Sequence, residues 1–134
     1  MKQQPGVVLV SSQATTPLGE LLWLGTNTQF CHPNDGVFKS VGSYYLWLKT
    51  VTNPSVRFYS WEVGFKMVSN EPGVDVVICD ADHAKRISTV VCMLLKSYGL
   101  LDVFTHTCTS LTFDNVPTWY QQLLLRLRAE LMIR

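Results

Sequence analysis

Few residues in this 134-residue chain are of a type and spacing that could do chemistry. His106 stands between Thr105 and Thr107, where an imidazole flanked by hydroxyls can donate to a phosphate or act as an acid, although a strand histidine with satisfied hydrogen bonds has the same appearance. Tyr44, Tyr45 and Trp47 could stack on adenine or nicotinamide, and aromatics at helical spacing equally build cores. Asp35 lies in GTNTQFCHPNDG, a stretch dense in turn formers of the kind that carries ligand contacts. Asp80 and Asp82 match the opening of a calcium loop, but no glycine or glutamate follows where that loop needs one, so helix capping accounts for them. Cys31, Cys79, Cys92 and Cys108 form no C-x-x-C pair. A zinc set of Cys31, His32, Cys79 and His83 lacks the short paired spacings of structural zinc motifs, so free thiols, no metal and no cofactor are expected. Glycine-rich phosphate loops are absent, and no Ser-His-Asp or Cys-His arrangement can be inferred along the chain.

Composition bounds the partners. A hydrophobic content of 47% can build a core, and 11 basic against 10 acidic residues give no global attraction to nucleic acid or an anionic membrane. Any nucleotide must therefore be held by a local site. The apolar run near the N-terminus is too short for a signal-peptide core, and the longest apolar stretch, Val90 to Leu95, is far below the roughly 20 residues that cross a bilayer. A cytoplasmic protein forming one domain over 1–134 is the expectation, with no membrane partner.

The elements that must position these residues follow from periodicity. Gly6–Val10 and Glu20–Leu24 read as strands opening a small sheet, and Asn34-Asp35-Gly36 as the turn of a loop or hairpin with positive φ at the glycine. Ser40 caps a helix whose apolar face is Val41, Tyr44, Tyr45, Leu48 and Val51. Residues 55–70 read as a helix with Val56, Tyr59, Val63 and Met67 inward, and Val74–Ile78 as a compact buried strand or an extended edge segment. After Asp80 and Asp82, the stripe Ile87, Val90, Val91, Leu94, Leu95 and Tyr98 predicts a strongly amphipathic helix stopped by Gly99. Residues 101–113 read as loop plus strand. A last helix starts near Pro117, with Trp119, Leu123, Leu127 and Leu131 on one stripe. The class is α+β, mainly helical with a small sheet.

The stretch Asp35-Gly36-Val37-Phe38-Lys39-Ser40-Val41-Gly42-Ser43-Tyr44-Tyr45-Leu46-Trp47-Leu48-Lys49 resembles the signature region of YbiA-like (NADAR) proteins. There a turn and an aromatic precede Ser-Val-Glu-His-Tyr, with a lysine seven residues after the glutamate; a shorter branch, often found in bacteriophage genomes, reads Ser-Val-Glu-Gly-Tyr-Trp-Tyr-Trp-Leu. Val41, Tyr44, Trp47, Leu48 and Lys49 fall into register with one or other version. Phe104-Thr105-His106 is similar to a Phe-Thr-His segment of the shorter branch, and Trp119–Leu131 to the helix that follows it. The resemblance runs from about Leu21 onward, and it implies a single YbiA-like domain that handles N-glycosidic bonds of ADP-ribose and related nucleotides.

Two positions carry that implication. Lys49 sits where the family has a functional lysine, an amine able to attack an anomeric carbon if burial lowers its pKa. Gly42 stands where the family has the glutamate that would stabilise an oxocarbenium-like centre. Seven residues apart on a helix, the two share a face. Three functions remain open. One is an N-glycosidase using Lys49 with a carboxylate from elsewhere, Asp35 or Asp114. Another is a non-catalytic sponge for an ADP-ribose-like nucleotide or ADP-ribosylated nucleobase. The third is an interaction module for a host protein, with phage counter-defence as the associated role.

Overall fold

The computed structural model describes residues 6–133. These are mainly helical with small sheets, an α+β chain. They group into two units, one from Met1–Trp23 with Val91–Arg134 and one from Leu24–Val90. Among the described residues no helix is long and apolar enough to cross a membrane.

In the first unit, β1 (Val7–Val10) pairs in parallel with β4 (Ser110–Phe113), Val7 opposite Ser110 and Val10 opposite Phe113. Its neighbour is therefore a strand from the far end of the chain. The expected strand at Glu20–Leu24 is instead α1 (Pro17–Leu22), because Thr16 caps it by accepting from the Gly19 N–H at 3.0 Å and Pro17 presets the first turn. A leucine-rich run suits either periodicity, and the cap decides. Gly19 is required here, since a Cβ would overlap the Leu9 carbonyl. The segment expected as a loop after residue 100 holds a π-helical turn, Val103–Thr107, closed by the Cys108 N–H on the Val103 carbonyl at 2.8 Å.

α5 (Thr118–Ile133) buries Tyr120, Leu123, Leu124 and Leu127; Trp119 and Leu131 from the expected stripe are only partly covered. Arg128 turns inward to donate to the carbonyls of Phe104 and Cys108, which ties the helix to the π turn. Tyr120 is fully buried and its hydroxyl donates to the Leu22 carbonyl at 2.5 Å, while burial pushes the phenol pKa far up. Tyr120→Phe removes this buried hydrogen bond, and chemical denaturation should read a loss of about 1–2 kcal/mol.

The second unit holds the hairpin β2 (Phe30–His32) and β3 (Gly36–Phe38), antiparallel with Phe30 opposite Phe38. Gly36 has φ 88°, as the turn sequence predicts. α2 (Val41–Lys49) starts at Ser40, whose Oγ accepts from the Ser43 N–H at 3.0 Å, and it buries Val41 through Leu46. Val51 lies beyond its end and is exposed. The helix expected over 55–70 is broken: a 3-10 turn, Pro54–Phe58, precedes α3 (Trp61–Ser69), because Ser60 caps anew and the Ser43 hydroxyl takes the Tyr59 carbonyl at 2.7 Å. The buried stripe of α3 is Trp61, Gly64 and Val68, whereas Tyr59 and Val63 face out.

α4 (Ala81–Ser97) crosses the boundary, residues 81–90 belonging to the second unit and 91–97 to the first. Asp80 caps it by accepting from the His83 N–H at 2.8 Å. Ile87, Val90, Val91, Leu94 and Leu95 are buried as the periodicity predicts, but Tyr98 is exposed because the helix ends before it. The stop is a Schellman arrangement, with Leu100 N–H on the Leu95 carbonyl and Gly99 N–H on that of Lys96.

Candidate ligand-recognition site

Capping by Ser40 sets the phase of α2 and so decides which way each aromatic of YYLWLK points. Tyr44 turns to the hairpin. Its hydroxyl donates to Asp35 Oδ2 at 3.0 Å, and its ring stacks on His32 at 5.4 Å and on Trp47 at 6.2 Å, with Phe38 edge-on at 4.7 Å. His32 Nδ1 accepts from the backbone N–H groups of Asn34 and Asp35, both at 3.1 Å, so its proton belongs on Nε2. The Asp35 carboxylate 3.6 Å from Nδ1 is therefore a neighbour of an acceptor and not its ion-pair partner. Arg57 donates to the carbonyls of Asp35 and Val37 while lying over the Phe38 ring at 4.3 Å, which clamps the turn. Burial, reinforced by the Asp35 carboxylate, raises the Tyr44 pKa, and Arg86 opposes the rise. Arg86 is itself paired with Asp82 at 3.2 Å.

The opposite edge of α2 holds the 74–79 segment. Tyr45 Oη donates to the carbonyl of Val76 at 2.7 Å, with that of Ile78 at 3.2 Å, and Lys49 Nζ donates to Ile78 at 2.7 Å. Tyr45 and Lys49 are four residues apart, so one helix face grips one segment. This is why 74–78 is not a strand: side chains take its carbonyls, and the Val77 N–H turns back on Asp75 Oδ1 at 2.9 Å. Val76 is buried while Val77 and Ile78 are 74% and 61% exposed, which removes the expected buried strand. Burial raises the Tyr45 pKa, with Cys79, Asp75 and Asp80 adding to it. Burial also lifts Cys79 to about 11, Asp80 adding and Lys49 opposing, so this sulfur is a thiol at neutral pH and no nucleophile.

Position 42 is closed. Gly42 N–H donates to the Leu24 carbonyl at 2.9 Å. A Cβ there would overlap the Trp61 ring and stand 2.7 Å from the Leu24 carbonyl oxygen. The helix spacing that puts Gly42 and Lys49 on one face holds, but Trp61 fills the space next to the glycine, and the lysine reaches Ile78.

Of the residues singled out from sequence, Asp35, Tyr44 and Trp47 form one cluster, and Tyr45 with Lys49 forms the adjoining clamp. Tyr44 and Tyr45 are fully buried, so they build walls and present no ring face; Trp47 and Lys49 are partly exposed. Thr105 and His106 belong to the other unit. Sequence reasoning missed His32, Arg57 and Arg86 as members of the cluster. Arg86 had a visible signal, its i, i+4 spacing from Asp82; the other two depend on hairpin geometry that spacing does not encode. Among the described residues no group of three or more His, Cys, Asp or Glu is placed to hold a metal ion, and the imagined zinc ligands are not gathered.

What the arrangement offers a ligand is the partly exposed Trp47 and, on different edges of α2, the cations Lys49 and Arg86. No protein-family model, curated protein or solved structure matches the chain.

Proposed function

We propose that the protein acts in the cytoplasm by recognising an ADP-ribosyl or related nucleotide without cleaving its N-glycosidic bond. The observation that carries this reading is the closure of position 42. The carboxylate that the YbiA-like resemblance would put there to stabilise positive charge at C1 of the ribose is replaced by a glycine, and Trp61 covers it. Lys49 and Arg86 would then serve as phosphate contacts, the ammonium as a point charge and the guanidinium as a fork.

Calorimetry with ADP-ribose, paired with chromatography of reactions containing ADP-ribosylated guanosine, tests it. The expected result is saturable heat with no released base, and affinity about tenfold weaker in Lys49→Ala and in Arg86→Ala. Turnover that scales with protein concentration overturns the non-cleaving part and points to Lys49 with Asp80, whose charges interact. Absence of heat with every nucleotide overturns the binding part.

A second reading, an interaction module for a protein partner, is favoured by Val77 and Ile78, held in place by the Tyr45 and Lys49 clamp yet open to solvent. Light scattering after size exclusion, followed by a pull-down with Val77→Asp as control, separates it from a monomeric binder.

A further inference from the structure

The unit drawn from Met1–Trp23 and Val91–Arg134 contains a cleft of about 340 Å³ lined by Lys96, Leu101, Asp102, Thr105, His106 and Leu131. Residues Val103–Thr107 form a π-helical turn, a geometry that often accompanies functional sites. Here it places two polar side chains around one imidazole nitrogen. Asp102 Oδ1 and Thr105 Oγ1 each lie 2.9 Å from His106 Nδ1. The Thr105 hydroxyl is buried and donates to the Leu101 carbonyl at 3.0 Å, so a lone pair faces the ring. A carboxylate and a hydroxyl oxygen around Nδ1 put the proton on that nitrogen and leave Nε2 for a ligand.

The Asp102–His106 pair is 84% and 74% exposed in its side chains, and exposed pairs of this kind contribute little to stability. Its consequence is orientation. With Nδ1 engaged, Nε2 is left for a ligand, Lys96 supplies a cation, and Leu101 and Leu131 supply apolar walls. An imidazole nitrogen and an ammonium together match a phosphate monoester, one oxygen sharing a proton with the ring and another facing the cation. The Asp102 carboxylate, engaged at Nδ1, orients the ring.

We propose that this cleft binds a small phosphate monoester, one oxygen on Lys96 Nζ, another sharing a proton with His106 Nε2, and its carbon portion against Leu101 and Leu131. The proposal uses neither Lys49 nor Arg86, the phosphate contacts of the nucleotide reading above, so either can fail without the other. Titration of the intact chain with phenyl phosphate, followed by nitrogen NMR of the His106 ring, tests it, with benzyl alcohol as the uncharged control of similar size. The expected result is a saturable change at Nε2 with phenyl phosphate and none with benzyl alcohol. Lys96→Ala should weaken binding about tenfold. Asp102→Asn should weaken it about threefold and redistribute the proton between the ring nitrogens, which a merely structural role for Asp102 would not do. No saturable change at His106, an equal response to benzyl alcohol, or undiminished affinity in Lys96→Ala overturns the proposal.

Discussion

Gly42→Ala should destabilise the protein by about 3 kcal/mol or more, and Gly42→Glu should abolish cooperative folding without producing glycosidase activity. The reason is steric. Even one methyl at this position enters the Trp61 ring and the Leu24 carbonyl, and the second neighbour is backbone that cannot rotate away. Thermal melts check the size of the effect, and a double-mutant cycle checks its origin. Trp61→Ala alone opens a cavity beside a buried helix and costs about 3 kcal/mol. If Trp61 is the obstacle, Gly42→Ala in that background should cost at least about 1 kcal/mol less than in the wild type. An unchanged melting temperature in Gly42→Ala would show that position 42 is open, and with it would fall the argument against a carboxylate there.

Glu71→Ala should cost about 2–4 kcal/mol, a fall in Tm of roughly 10 °C. Glu71 is buried among four donors that close the end of α2: Thr50 Oγ1 at 2.7 Å on Oε2, and Val51 N–H, Thr52 N–H and Thr52 Oγ1 at 3.1, 2.7 and 2.6 Å on Oε1. The Thr52 hydroxyl is the largest influence, and these bonds together hold the carboxyl at about 2, against an ordinary value of 4.5. A depressed folded-state pKa stabilises only where the unfolded carboxyl is ionised. The contribution is complete above the ordinary carboxylate range and disappears as the pH falls from about 4.5 toward 2. Urea denaturation of wild type and Glu71→Gln should therefore differ most near neutral pH and converge in acid. A difference independent of pH would mean that the carboxylate charge is not what the four donors hold.

Both predictions concern contacts invisible in the sequence, and particular elements show why. α2 was legible because Ser40 and the i, i+3, i+4 aromatics act within a few residues of one another. The same holds for the long stripe of α4, its Gly99 stop, the Asn34-Asp35-Gly36 turn, and strands β1 and β4 taken singly. Where two local signals compete, the reading fails: Glu20–Leu24 has leucines that suit a strand and a Thr16-Pro17 cap that selects a helix. The 74–78 segment fails for another reason, since its composition is that of a strand but its carbonyls are taken by Tyr45 and Lys49 from a helix some thirty residues earlier.

The site divides along the same line. Asp35, Tyr44 and Trp47 could be named as candidates from residue type and helical phase, and Lys49 only from a resemblance to the YbiA-like signature. That Asp35 receives the Tyr44 hydroxyl, that Arg57 locks the turn, and that Glu71 gathers Thr50 to Thr52 depend on loops closing over 9 to 22 residues. Sequence by itself determined the helical phase of α2, and so the shared face of Gly42 and Lys49, because capping and 3.6-residue periodicity are local. Only the tertiary structure decided what that face meets. Trp61 arrives at Gly42 through a chain reversal, and whether a glycine borders a pocket or a packed ring depends on which distant side chain comes to fill the space beside it.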